Sequence, residues 1–189
     1  MCKALVVLAD GFEDVEAVAA IDVLRRGGAH VDVASCGGGR VAVSAHGLRV
    51  EADGALADFA DGAYGAIILP GGGKGTENLM ASGLVTDLLR RQRAAGRLVC
   101  AICAAPAALA AAGVLDGAEF TCYPGIEERI GREPEAADVV ADGATVTGRG
   151  PAAAVKFALA VLARLVSPEA ARAVADGMLV PPGERPEGQ

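Results

Sequence analysis

The sequence predicts an α/β fold on a mostly parallel sheet, from three observations: apolar runs that do not alternate, helical periodicity between them, and an aliphatic composition. Hydrophobic residues make up 52% of the 189-residue chain and aromatics only 3%. The core must therefore come from closely packed Ala, Val, Leu and Ile, which suits helices layered on a sheet. Strands buried on both faces read as continuous aliphatic runs, whereas a half-exposed sheet alternates.

The run ALVVL at 4–8 is the first such strand, broken by Asp10 and Gly11. Over residues 13–26, Val15, Val18, Ala19, Ile21 and Leu24 recur at helical spacing, and Gly27-Gly28 supplies the stop. HVDVAS at 30–35 is a second strand. Strand, helix and strand in immediate succession form a βαβ unit, whose right-handed crossover makes the two strands parallel. VAVS and LRVEA, within residues 41–52, flank His46-Gly47 and predict a hairpin decorating the sheet.

AIIL at 66–69 is another buried strand, ending in Pro70-Gly71-Gly72-Gly73. A helix follows, with Leu84, Val85, Leu88 and Leu89 on one face before Gly96. RLVCAI at 97–102 is a strand leading to Cys103, and AAPAALAAAG is an Ala-rich helix closed by Gly113. EFTC at 119–122 reads as a strand, and ADVV and ATVT as a hairpin around Asp142-Gly143. Two helices close the domain, 151–166 with proline in its first turn and 168–176 with Ser167 as N-cap. Residues 1–180 are thus expected to form one domain, and the tail 181–189, PPGERPEGQ, to be disordered.

The net charge is -7 with no block of Lys or Arg, so the basic footprint that neutralises phosphates is missing and nucleic acid is not expected as a partner. The N-terminal apolar run is too short for a signal peptide, and no stretch is long enough to span a membrane. Five cysteines, an odd number, predict reduced thiols and a cytoplasmic protein.

Ligands of open α/β sheets collect beyond the carboxyl ends of the strands. Three segments end there: ADGFEDVE, PGGGKGTEN and ICAAP. They contribute a carboxylate, a glycine-rich backbone surface and a thiol. Cys103 stands where a strand turns into a helix, and the positive end of that helix would lower its pKa and favour the reactive thiolate. A small buried hydrophobe in an Ala-rich stretch remains the alternative. Cys100 and Cys103 spell C-x-x-C, but Cys100 lies inside the apolar strand and no second pair exists, so neither a zinc site nor a redox disulfide is expected. PGGGKG is not a phosphate loop, because Lys74 is followed by Gly75 rather than Ser or Thr. Its glycines permit close backbone approach, so Gly72 and Gly73 could offer N–H donors to an oxyanion, or could simply turn the chain. Glu16, one turn into the first helix, could reach the elbow; a protonated carboxyl there can hydrogen-bond a thiolate and shuttle a proton.

GFEDVEA, LPGGGKG and AICAAP together resemble the signature of the DJ-1/PfpI superfamily, the DJ-1/ThiJ branch in particular. The resemblance runs from about Lys3 to Val180 and includes IDVLRRGG, TCYPG and TGRGPAAAVKFAL. It implies a flavodoxin-like three-layer sandwich with helices on both faces, a homodimer, and a nucleophile at a strained elbow. It implies that Cys103 is the nucleophile, that Glu16 is the acid bonded to it, and that Gly72, Gly73, Ala104 and Tyr123 form the oxyanion and substrate region.

Tyr123 stands where many relatives carry a histidine, and tyrosine is a poor base at neutral pH. Ala104 follows the cysteine where the protease-like branch has histidine, so peptidase activity is not expected. His46 falls where dimeric relatives bring a basic residue from the partner toward the pocket, although an ordinary turn histidine would look the same. Arg26 and Arg149 receive no catalytic role. The activity implied is a glyoxalase III-like or deglycase-like one, acting on small reactive aldehydes such as methylglyoxal or glyoxal without cofactor or metal. The alternative is a redox sensor or protective chaperone that uses oxidation of Cys103 without turnover.

Overall fold

The computed structural model describes residues 2–185. A seven-stranded sheet runs through the middle in the order β5-β2-β1-β6-β7-β9-β8. Its strands are β1 (Lys3–Leu8), β2 (His30–Ser35), β5 (Gly54–Ala55), β6 (Ala66–Leu69), β7 (Leu98–Ile102), β8 (Val139–Asp142) and β9 (Thr145–Gly148). All neighbours are parallel except β8 on β9. The sheet and its surrounding helices match the flavodoxin-like α/β architecture.

Alternate residues of β1 feed two separate cores. Ala4, Val6 and Leu8 pack under α1 (Asp14–Arg26), α7 (Ala154–Leu165) and α8 (Pro168–Gly177), while Leu5 and Val7 face the opposite side. That second core is covered by α2 (Leu56–Phe59), α3 (Gly73–Ala81), α4 (Gly83–Ala94) and α5 (Pro106–Ala111). A strand with a core on each face has no polar side to show, which is why the sequence runs do not alternate. The expected hairpin is present as β3 (Val41–Val43) paired antiparallel with β4 (Arg49–Glu51). A short helix, α6 (Glu127–Ile130), lies between α5 and β8.

Several boundaries differ from the sequence reading. The single helix expected after Pro70 is two, α3 and α4, because Ser82 is extended (φ -86°, ψ 109°) and caps the second helix by accepting the Val85 N–H. Residues 151–153 form a 3-10 turn before α7. Residues 119–122 are not a strand. Both sides of β9 are already occupied by β7 and β8, so this segment uses side-chain partners: Glu119 N–H donates to Asp142, Thr121 N–H to Thr147 Oγ1, and Thr121 Oγ1 to the Ala137 carbonyl. Ser167 does cap α8, accepting the Ala170 N–H at 3.1 Å. Of the tail, Pro182–Glu184 makes a 3-10 turn and Arg185 binds Asp176 and the Val180 carbonyl. Residues 186–189 lie outside the described residues.

Candidate active site

β1 has β2 on one side and β6 on the other, and the chain crosses over between β5 and β6, so a crevice opens where the direction of winding reverses. The loops after β1, β6 and β7 meet there. Cys103 directly follows β7 and carries a positive φ of 66°. That strained elbow is held from both sides: its N–H donates to the Gly148 carbonyl and its carbonyl accepts the Tyr123 N–H, each at 2.8 Å. The left-handed conformation disfavours a Cβ by about 1–2 kcal/mol. Cys103→Gly is therefore expected to be at least as stable to urea as Cys103→Ala, even though glycine elsewhere loses about 0.5–1 kcal/mol to backbone entropy. A less stable glycine variant would show that the elbow stores no strain.

Glu16, from the first turn of α1, is 1% exposed. Its Oε2 accepts the Gly71 N–H at 2.7 Å, while Oε1 is buried without a hydrogen-bond partner. The Cys103 side chain lies within interaction range of this carboxyl. Burial, the largest influence, pushes the Glu16 pKa from the ordinary 4.5 up to about 7, against the Gly71 hydrogen bond that lowers it.

Gly71 is wedged between the two functional groups. A Cβ on it would stand 2.7 Å from Cys103 Cβ and 2.8 Å from Glu16 Oε2. Gly72 has φ 89°, and a Cβ there would collide with the Gly11 carbonyl oxygen. The N–H groups of Gly72 and Ala104 both aim at the Cys103 sulfur. Gly73 opens α3, with nothing within 4 Å of a built Cβ.

The sequence expectation that a helix end depresses the thiol pKa is corrected. Helix α5 starts only at Pro106 and has six residues, so its field at the sulfur is small. Burial first, and then the Glu16 charge, raise the Cys103 thiol to about 12, against the Gly72 and Ala104 N–H groups. Thiol and carboxyl titrate as a pair. The first proton leaves near neutrality, and the second is held far above it. Once the first proton has left, the charge rests on the Glu16 carboxylate, and transfer of the thiol proton to it gives the thiolate, which faces the Gly72 and Ala104 N–H groups.

A raised carboxyl pKa makes stability fall with rising pH. Below about pH 4.5 Glu16 is neutral in both folded and unfolded chains. Between there and about pH 7 only the unfolded chain ionises freely. The wild type is expected to lose about 3 kcal/mol across that window, a slope that denaturant titration should find missing in Glu16→Gln.

Tyr123 is half exposed, with its ring against Gly150, and its link to Cys103 is its backbone N–H. His46 on the β3–β4 turn is exposed and pairs with Asp14 at 2.9 Å; Asp14 also accepts the Ser44 hydroxyl at 2.6 Å. The Ser44 bond is the main reason the Asp14 pKa is lowered, and the Asp14 bond the main reason that of His46 is raised. Glu13, Asp14 and His46 have ligand atoms within 4.8 Å of one another, but they stand at the positive end of α1 with the His46 Nδ1 committed to Asp14. Arg26 is tied to Asp22 at 2.7 Å on the surface of α1, and Arg149 is exposed and bonded through its backbone to Asp138. Cys100 is fully buried in β7, and all five cysteines are free.

The decisive observation is a match over residues 2–164 to the DJ-1/PfpI family. The chain belongs to the DJ-1/PfpI family. Protein dj-1beta of Drosophila melanogaster is 41% identical over 181 residues, covering 94% of this chain and 97% of its own length. The oxidized DJ-1 of Toxoplasma gondii superposes with a TM-score of 0.90 at 34% identity, covering 94% of this chain and 97% of that one. A Pyrococcus abyssi protein named a deglycase is 34% identical over 152 residues, covering 79% of this chain and 90% of its own. Among the described residues no helix of this DJ-1/PfpI member is long and apolar enough to cross a membrane.

Sequence reasoning placed Cys103, Glu16 and Gly72 in one site but gave no role to Gly71 or Gly148, which hold the carboxyl and the elbow. The Pro-Gly-Gly-Gly run was the available signal for Gly71. Gly148 lay within the TGRGPAAAVKFAL segment of the resemblance, but its role is carried by its carbonyl, which no residue type marks.

Proposed function

We propose that the protein converts small 1,2-dicarbonyls, methylglyoxal or glyoxal, to hydroxy acids without glutathione or any cofactor. The observation that supports this most is the buried Glu16 carboxyl facing the Cys103 sulfur, with the Gly72 and Ala104 N–H groups aimed at the same atom.

In the state with charge on sulfur and proton on Glu16, the thiolate adds to the aldehyde carbon and the new alkoxide takes the Glu16 proton. The Glu16 carboxylate then removes the proton from C1 of the hemithioacetal, giving an enediolate. Returned to C2, that proton yields a 2-hydroxy thioester, with the oxyanions held by backbone N–H donors. Water hydrolyses the thioester, releasing lactate from methylglyoxal and regenerating the thiol. The sum is addition of one water, with oxidation at C1 balanced by reduction at C2. No histidine is required, which accommodates Tyr123. The deglycase name of the archaeal relative supports this chemistry, since removal of free dicarbonyl also reverses its adducts.

Glyoxal incubated without glutathione should give glycolate continuously. Loss of glyoxal without glycolate would reduce the reaction to adduct formation and contradict the proposal.

A second reading, redox sensing, draws support from the oxidized state of the Toxoplasma relative. The N–H groups of Gly72 and Ala104, with a protonated Glu16, suit the oxygens of a cysteine sulfinate. Intact mass after mild peroxide should then show two added oxygens, absent in Cys103→Ala; equal oxidation of all five thiols contradicts it. We also propose a homodimer, supported by the exposed Val15 and Val18 on α1 and Val41 and Leu48 on the hairpin. Sedimentation as a monomer at micromolar concentration would rule it out.

A further inference from the structure

A cavity of about 500 Å³ opens between α7, α8 and the edge strand β8, and neither Cys103 nor Glu16 lines it. Its size lies within the range of small-molecule sites, about 300–1,000 Å³. The floor is unusually bare: Ala160, Ala163, Ala171 and Ala175 present only methyl groups, with Val139 beside them. The walls carry four cationic side chains, Lys156, Arg164, Arg172 and Arg185, and a single acid, Asp138. That concentration of positive charge stands out in a chain of net charge -7.

In each ion pair around the cavity the cation is the less exposed partner. Lys156 is 25% exposed and its partner Asp138 58%; Arg185 is 30% exposed and its partner Asp176 68%. Arg172 lines the cavity, whereas its partner Glu169 does not. Arg164 is fixed in the wall by bonds to the Gly143 and Ala141 carbonyls at 2.7 and 2.8 Å. The interior therefore faces a ligand as an apolar floor under cationic walls. Exposed ion pairs of this kind are weak and exchange readily for another anion.

We propose that this cavity is a second binding site, for an organic carboxylate with an apolar body. The body covers the alanine floor, and the carboxylate takes the place of exposed acids as partner to Lys156 and Arg172, guanidinium forks being matched to carboxylate geometry. The site is separate from the dicarbonyl chemistry and does not depend on it.

Decanoate is the probe, titrated calorimetrically into the full-length protein with decanol and acetate as controls. Saturable one-to-one binding of decanoate is expected, weakened at least tenfold in Lys156→Gln/Arg172→Gln and unchanged when Cys103 is alkylated. Decanol should lack the head-group contact and acetate the floor, so both should bind at least tenfold more weakly. Absence of saturable decanoate binding overturns the proposal, as does equal binding by the double variant. Loss of binding on alkylating Cys103 would move the ligand to the active site and overturn it as well. Circular dichroism of the double variant, whose changes are confined to exposed ion pairs, verifies that it is folded.

Discussion

Glu16→Gln is expected to lower turnover of methylglyoxal by about 10²–10⁴-fold, the range for removing a positioned proton-transfer group. The amide keeps the size of the carboxyl and can still accept the Gly71 N–H, so the fold should survive. What it cannot do is accept and return a proton at C1 and C2. The variant should also lose the near-neutral ionisation of the Glu16–Cys103 pair. Its rate of iodoacetamide alkylation should therefore follow a single thiol titration at higher pH, where the wild type shows an inflection near pH 7. Undiminished turnover in Glu16→Gln would remove the acid from the mechanism.

Gly71→Ala should disrupt the site from the other side. Its Cβ would lie 2.7 Å from both Cys103 Cβ and the Ile102 carbonyl oxygen, and backbone atoms cannot move aside as a flexible side chain can. Overpacking of this kind destabilises by about 1–3 kcal/mol. The forced shift also separates nucleophile from acid, and a misplacement on the order of 1 Å is enough for a loss of about 10²-fold in rate. Gly73→Ala, two residues on, meets open space at the start of α3 and should leave both stability and turnover unchanged. Equal behaviour of the two alanine variants in urea titration and in the activity assay would contradict the site geometry.

Most of the sheet was legible because burial on both faces leaves a plain signature. ALVVL, HVDVAS, AIIL and LVCAI all became strands of the central sheet. The hairpin at His46-Gly47 and the Ser167 cap depend on local turn and cap chemistry, which a sequence also carries. EFTC failed because strand propensity says nothing of whether a sheet edge is free to pair with it. The break at Ser82 was missed because the periodic residues Leu84, Val85, Leu88 and Leu89 all lie in α4 and say nothing of where the helix before them ends.

In the site, the sequence carried the identity of the groups but not their mutual distances. It could put a thiol, a carboxyl and three glycines at strand ends. It could not tell that the Gly71 N–H goes to the carboxyl and the Gly72 N–H to the sulfur. Nor could it weigh burial against a nearby helix end, so the direction of the thiol shift came out reversed. That quantity depends on how deeply three loops from distant parts of the chain enclose one sulfur atom.

Glutathione-free conversion of methylglyoxal to lactate, measured as product with Cys103→Ser purified alongside, tests the central claim most directly. Many lactate molecules per wild-type protein, with none above background from the serine variant, is the predicted result. No lactate from folded wild type with a reduced thiol, or equal amounts from both proteins, would contradict it.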